Sequence, residues 1–192
     1  LQGLQYAEGR QMIPHTKYMI SPNDIATFLF LENTSHKREN EILLDLFNNH
    51  NKNIVREYRR SYLKLKQCVM NLISIYEVDA TSYSEATLIL RETTSSKICS
   101  VEESDCFSAY FKLIWLQLIY SGITYRKIKL RKLLRDFGYK RRSEKLINCI
   151  QQAIDNLNLR VYLRDYTPCN INDIDIDDMI IIRSADQNIH TQ

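Results

Sequence analysis

Between Tyr125 and Lys145 the chain reads YRKIKLRKLLRDFGYKRRSEK, with ten Lys or Arg against two acids, whereas the whole protein holds 26 against 23. The 21 residues therefore carry a net +8, and the other 171 a net −5. The same stretch contains Leu133, Leu134 and Phe137, so its cations sit on a segment built to fold. A folded cationic surface is fitted to bind a polyanion. A second cluster, Asp173, Asp175, Asp177 and Asp178, invites a cation. A calcium loop needs Gly at its sixth position and a bidentate acid at its twelfth. Counted from Asp173, those positions hold Asp178 and Ser184, and no lysine follows in a nuclease-like Glu-x-Lys arrangement. His15, His36 and His50 fall in or near predicted turns or helix starts, with no nucleophile at a recognisable spacing. Four glycines form no phosphate loop. The expectation is a protein that is not an enzyme, with no catalytic residue, metal or cofactor.

The composition is that of an ordinary folded protein, 44% hydrophobic and 26% charged, with room in 192 residues for one large domain or two small ones. Few Gly and Pro favour helices over tight turns. Cys68, Cys99, Cys106, Cys149 and Cys169 are scattered, odd in number and without a CxxC pair, which reads as free thiols in a reducing compartment. The Asn33-Thr34-Ser35 sequon carries no meaning without a secretory context. No signal peptide is recognised at the start. The most apolar run, Phe107 to Tyr120, includes Lys112 and is too short to span a bilayer. The expected location is cytoplasmic, with no membrane partner.

These side chains must be positioned by helices. Residues 1–19 read as a flexible arm. Ser21, Pro22 and Asp24 are a cap, a first-turn proline and an acid at the positive helix end, so a helix begins there. Ser35 starts a second, with Ile42, Leu43, Leu46 and Phe47 at helical spacing. Asn48 to Asn51 read as a turn. From Asn53 the spacing of Ile54, Tyr58, Tyr62, Leu65, Val69, Leu72, Ile73 and Tyr76 predicts one amphipathic helix of about 24 residues. Arg56, Arg59, Arg60, Lys64 and Lys66 would form its basic face, which could touch nucleic acid, although a solvated face is the favoured reading. Such a helix could pair two copies into a homodimer, and core packing explains the pattern equally well. Ser82 opens a short helix through Leu90 in capping-box form. The polar stretch 93–99 serves as a linker, which makes 20–92 a helical domain.

In the second half, Ser100 to Glu103 form a capping box. The helix that follows is apolar on nearly every side and so belongs in the core. Trp115 reads as packing. ITYRKIKL alternates as a short strand, with Ile123, Tyr125 and Lys127 opposite Thr124, Arg126 and Ile128. LRKLLRDF puts Leu130, Leu133, Leu134 and Phe137 on one helix face, and Gly138 closes the helix. A further helix starts within Lys140 to Ser143, with Leu146, Ile150, Ile154 and Leu157 inward. RVYLRD alternates Val161 and Leu163 against Arg160, Tyr162 and Arg164, with the period of two that a half-buried strand shows, and DMIIIR reads as a second strand. Between them lies a loop long enough to form a wing.

Helix, strand, helix, glycine turn, helix, strand, wing, strand is an order that resembles the winged helix-turn-helix superfamily, over about residues 100–184. The fold class expected is mainly α, a helical N-terminal domain followed by a winged-helix domain, with 185–192 as a tail. The resemblance implies a helix that enters the major groove of double-stranded DNA by its N-terminal end. Lys140, Arg141, Arg142, Ser143 and Lys145 would meet phosphates or guanine edges, and Asn148 and Gln152 adenine. Lys127, Lys129, Arg131, Lys132 and Arg135 would support docking on phosphates. The acidic wing points elsewhere, because phosphates repel carboxylates. The rival expectation is an adaptor subunit of an ATPase or nuclease complex, for instance in phage defence, that meets protein partners through the acidic wing or the helical domain. A replication factor of a plasmid or mobile element is a third reading.

Overall fold

The computed structural model describes residues 16–79 and 103–185. The expected Ser82 helix, the 93–99 linker and the Ser100 capping box lie outside them. Among the described residues are six α-helices and one three-stranded antiparallel sheet, so the protein is mainly α.

Helix α1, Pro22–Leu31, opens on the Ser21 cap: Ser21 Oγ accepts from the Asp24 amide at 3.2 Å, and Asp24 Oδ2 accepts from the Ser21 amide at 2.8 Å. Two donors that the first turn leaves orphaned are thereby satisfied. Helix α2, His36–Asn49, is capped by Ser35 and buries Ile42, Leu43 and Leu46. Residues 16–19, assigned to the arm by sequence, are partly built in. Thr16–Tyr18 form a 3₁₀ turn, and Tyr18, Met19 and Ile20 are buried.

The 24-residue helix expected from Asn53 is corrected. Helix α3 runs only from Tyr62 to Asp79. Ahead of it, Asn51–Asn53 and Arg56–Tyr58 are separate 3₁₀ turns. Tertiary contacts override the helical period here. Ile54 is fully buried and pairs with Ile20 as an isolated bridge, through Ile20 N to Asn53 O at 2.7 Å and Val55 N to Ile20 O at 3.0 Å. Arg59, expected on a solvated face, turns back to donate to the carbonyls of Ile54 and Lys52. The true start signal is Ser61, whose Oγ accepts from the Lys64 amide at 3.2 Å.

Helix α4, Glu103–Tyr120, is the centre of the molecule. Phe107, Phe111, Ile114 and Leu116 are fully buried, and Trp115 is buried as packing. This helix packs on α1, on the 3₁₀ turn at Thr16–Tyr18 and on the C-terminal elements, so the two halves share one apolar core. Polar ties reinforce the seam. Lys112 Nζ meets Asp24 Oδ2 at 3.3 Å with both side chains buried, and the Tyr120 hydroxyl donates to Asp45 at 2.7 Å.

After α4 come strand β1 (Arg126–Lys129), helix α5 (Leu130–Asp136), helix α6 (Glu144–Asn156), strand β2 (Leu159–Tyr162) and strand β3 (Met179–Ser184). The sheet order is β1-β3-β2, with Lys127 opposite Ile181 and Arg160 opposite Arg183. Leu130, Leu133, Leu134 and Phe137 are buried, with the Phe137 ring 4.9 Å from Phe107 and 5.4 Å from Tyr110. Gly138 ends the turn after α5 at φ +83°, a left-handed conformation that disfavours any side chain. The apolar residues within the basic segment thus anchor it to the shared core.

Candidate nucleic-acid interface

The cations of Tyr125 to Lys145 divide by what surrounds them. Ser143 caps α6 by accepting from the Leu146 amide at 3.3 Å, which spends its hydroxyl on the helix. Helix α6 turns Leu146, Ile147, Ile150, Ala153 and Ile154 into the core. By helical spacing, Lys145, Asn148 and Gln152 then share the exposed face. Lys140 and Arg141 are exposed in the approach to its positive end. Lys132 and Arg135 are exposed on α5, and Lys127 and Lys129 on β1. Glu144 and Asp155 also lie exposed on α6, so its own turns are not cationic and the positive charge precedes them.

Arg142 and Arg131 are used otherwise. Arg142 is half-buried, and its guanidinium donates to three backbone carbonyls of the loop after β2: Ile171 at 3.2 Å, Asn172 and Ile174. Arg131 makes a two-pronged contact with Asp177, Nε to Oδ1 at 2.5 Å and Nη2 to Oδ2 at 2.6 Å. The Arg131 hydrogen bond holds the Asp177 carboxyl below the usual carboxylate range, and the same bond raises the Arg131 guanidinium. Both groups are exposed, so solvent screens the pair. These two arginines of the expected DNA-binding set hold the acidic loop.

That loop is packed down rather than free. Ile171 and Ile174 are buried, the Ile171 amide donates to Gln151 Oε1 at 2.9 Å, and the Arg131 amide donates to Ile176 O at 2.8 Å. The segment 169–178 therefore lies against the start of α5, the approach to α6 and Gln151 within it, while Asp173 and Asp175 stay exposed. Only the tip projects: the Pro168 bridge to Tyr162 closes a short turn that holds Tyr166 at φ +68° and 55% exposure.

One grouping escapes the sequence reading, which assigns only its Lys127 to a nucleic-acid surface. With Leu159, Val161, Ile180 and Ile182 facing the core, the opposite side of the sheet carries Lys127, Arg160 and Arg183. Arg183 lies between two tyrosine rings, 5.8 Å from Tyr125 and 5.3 Å from Tyr166, and Lys127 stands 5.2 Å over Tyr125. The alternation of Arg160 with Val161 is visible in the sequence. The pairing of Arg160 with Arg183 requires the register of β2 on β3.

For catalysis the nearest cluster is His50, Asp45, Tyr120 and Trp115. His50 meets Trp115 edge-on at 5.4 Å, and its Nε2 is 3.8 Å from Asp45. Burial, and then the Asp45 hydrogen bond, push the Tyr120 hydroxyl far up, so it holds its proton. The Tyr120 hydrogen bond keeps Asp45 below its ordinary value. The arrangement ties α2 to α4 and brings no nucleophile to His50. Among the described residues no group of three His, Cys, Asp or Glu is placed to hold a metal ion, and no helix is long and apolar enough to cross a membrane.

No protein-family model, curated protein or solved structure matches the chain.

Proposed function

We propose that residues 103–184 form a winged helix-turn-helix that binds double-stranded DNA without catalysis, α6 leading into the major groove. The observation that carries this reading is the conjunction of two facts. Helix, strand, helix, glycine turn, helix, strand, loop, strand closes into a sheet ordered β1-β3-β2. The approach to the third helix then exposes Lys140 and Arg141, with Lys145, Asn148 and Gln152 exposed along it. Lys and Arg at a helix N-terminus meet phosphates and guanine edges, and amides one and two turns on can read adenine. Lys127, Lys129 and Lys132 add phosphate contacts that position the duplex. Arg131 and Arg142 contribute indirectly, Arg131 by offsetting the charge of Asp177 and Arg142 by fixing the backbone of the loop that carries the aspartates.

A second reading, an adaptor subunit of a larger assembly such as a phage-defence ATPase or nuclease complex, is favoured by one observation. Asp173 and Asp175 are displayed on an ordered loop, as a surface for a basic protein partner would be. A fluorescence-anisotropy titration of a labelled duplex at low salt separates the two. Binding that weakens steeply with added salt supports the DNA reading. A protein that ignores duplex but co-purifies with products of neighbouring genes supports the adaptor.

A further inference from the structure

We propose that the outer face of the three-stranded sheet is a second site, which binds single-stranded nucleic acid. Bases would stack on Tyr125 and Tyr166, and phosphates would pair with Lys127, Arg160 and Arg183. The inference stands apart from the duplex reading, because it uses none of the α6 residues and shares only Lys127 with the cations offered to the duplex.

Three observations carry it. First, Arg160 and Arg183 are directly opposed across β2 and β3. Like charges in that position repel, and no carboxylate pairs with either among the described residues. An anion bridging them removes the repulsion. Second, the Nε of Arg183 is buried with no hydrogen-bond acceptor. A guanidinium without internal acceptors is costly, and an anion beside it offsets that cost. Third, the rings beside these charges are displayed: Tyr125 is 39% exposed and Tyr166 is 55% exposed. Tyr166 is held out at a positive φ, where a large side chain is uncommon.

The chemistry selects the ligand. A sheet face that offers aromatic planes beside a row of cations suits unpaired bases, which stack on such rings irrespective of sequence. A duplex keeps its bases stacked inside and cannot use the rings. Asp165, the acid in the same turn, is engaged by the Thr167 amide at 3.0 Å.

The test uses the full chain with a labelled oligothymidylate of about 15 nucleotides, near the upper site size of small single-strand binders, and in parallel a labelled duplex. Tyr125→Ala and Tyr166→Asn should each weaken oligothymidylate binding by about 5- to 150-fold, the range for losing one stacked base. Asparagine tolerates the left-handed backbone at 166, so that variant keeps the turn. Tyr166→Phe should retain wild-type affinity, and all three should leave duplex affinity unchanged. Conversely, Lys140→Gln with Arg141→Gln should weaken duplex binding alone. Wild-type protein that fails to bind the oligonucleotide, or ring-deleting variants that bind it as wild type does, overturns the proposal. So does an equal loss for both ligands, since that would place the effect on the fold.

Discussion

Arg142→Ala should damage the loop after β2 more than any ligand site. In the wild type the guanidinium satisfies three carbonyls, two of them, on Ile171 and Ile174, in half-buried surroundings, while that of Asn172 is open to water. A hydrogen bond to a charged partner contributes about 1.5–3 kcal/mol net when buried. Discounting the Asn172 bond fully and the other two by about half for solvent access gives a loss of about 1.5–3 kcal/mol. For a chain of this size each kcal/mol moves the melting temperature by about 2–4 °C, so a fall of roughly 3–12 °C is expected. The assay pairs thermal melting with digestion by a protease that cuts before aspartate, since Asp173, Asp175 and Asp177 all lie on the clamped segment. Arg142→Ala should melt early and be cut faster there. Arg142→Lys should behave nearly as badly, because one ammonium cannot reach three carbonyls set around a planar fork. A variant that melts and resists cleavage like the wild type would refute this reasoning. Full function in Arg142→Lys with loss in Arg142→Ala would instead assign Arg142 to an external phosphate.

Lys112→Met leaves Asp24 buried without its counter-ion between α1 and α4. Breaking such a pair costs about 3–5 kcal/mol, read by urea unfolding, and an unchanged midpoint argues against a contribution from the pair. Tyr120→Phe should cost about 1 kcal/mol at neutral pH through the lost hydrogen bond to Asp45. Asp45 is depressed below its usual 3.8 in the folded protein, so its contribution is present above that pH and lost as pH falls through the lower folded value. The gap between wild type and variant should therefore close in strong acid, and a gap independent of pH counts against the assignment. Gly138→Ala meets no atom within 4 Å, so its cost of about 1–2 kcal/mol is the left-handed backbone alone. Gly138→Asn should lose less, and equal losses would point to a steric cause.

Local signals carried much of this fold into the sequence. Ser21 with Asp24, Ser35, Ser143 and Gly138 mark element ends through hydrogen bonds or backbone angles within a few residues, and such marks are readable in one dimension. The alternation of Tyr125 and Lys127 against Arg126 and Ile128 was legible for the same reason. Where distant partners decide, the reading failed. Residues 51–58 have a helical pattern but bend into two 3₁₀ turns, because Ile54 is drawn onto Ile20 and Arg59 binds backbone carbonyls. Arg142 and Arg141 are adjacent and chemically alike. Only the folded loop distinguishes the clamp from the exposed cation. The sheet face of Arg160, Arg183 and the two tyrosines needed the register of three strands, one of them some thirty residues earlier in the chain.

The decisive measurement is the salt dependence of duplex binding by wild type and by the double variant Lys140→Gln, Arg141→Gln. Each phosphate contact contributes about 0.9 to the slope of log affinity on log salt. If these side chains meet DNA, the slope should flatten by about 1.8, with weaker binding and an unchanged melting temperature. A slope and affinity equal to those of the wild type would mean that the cations before α6 face something other than a phosphate backbone.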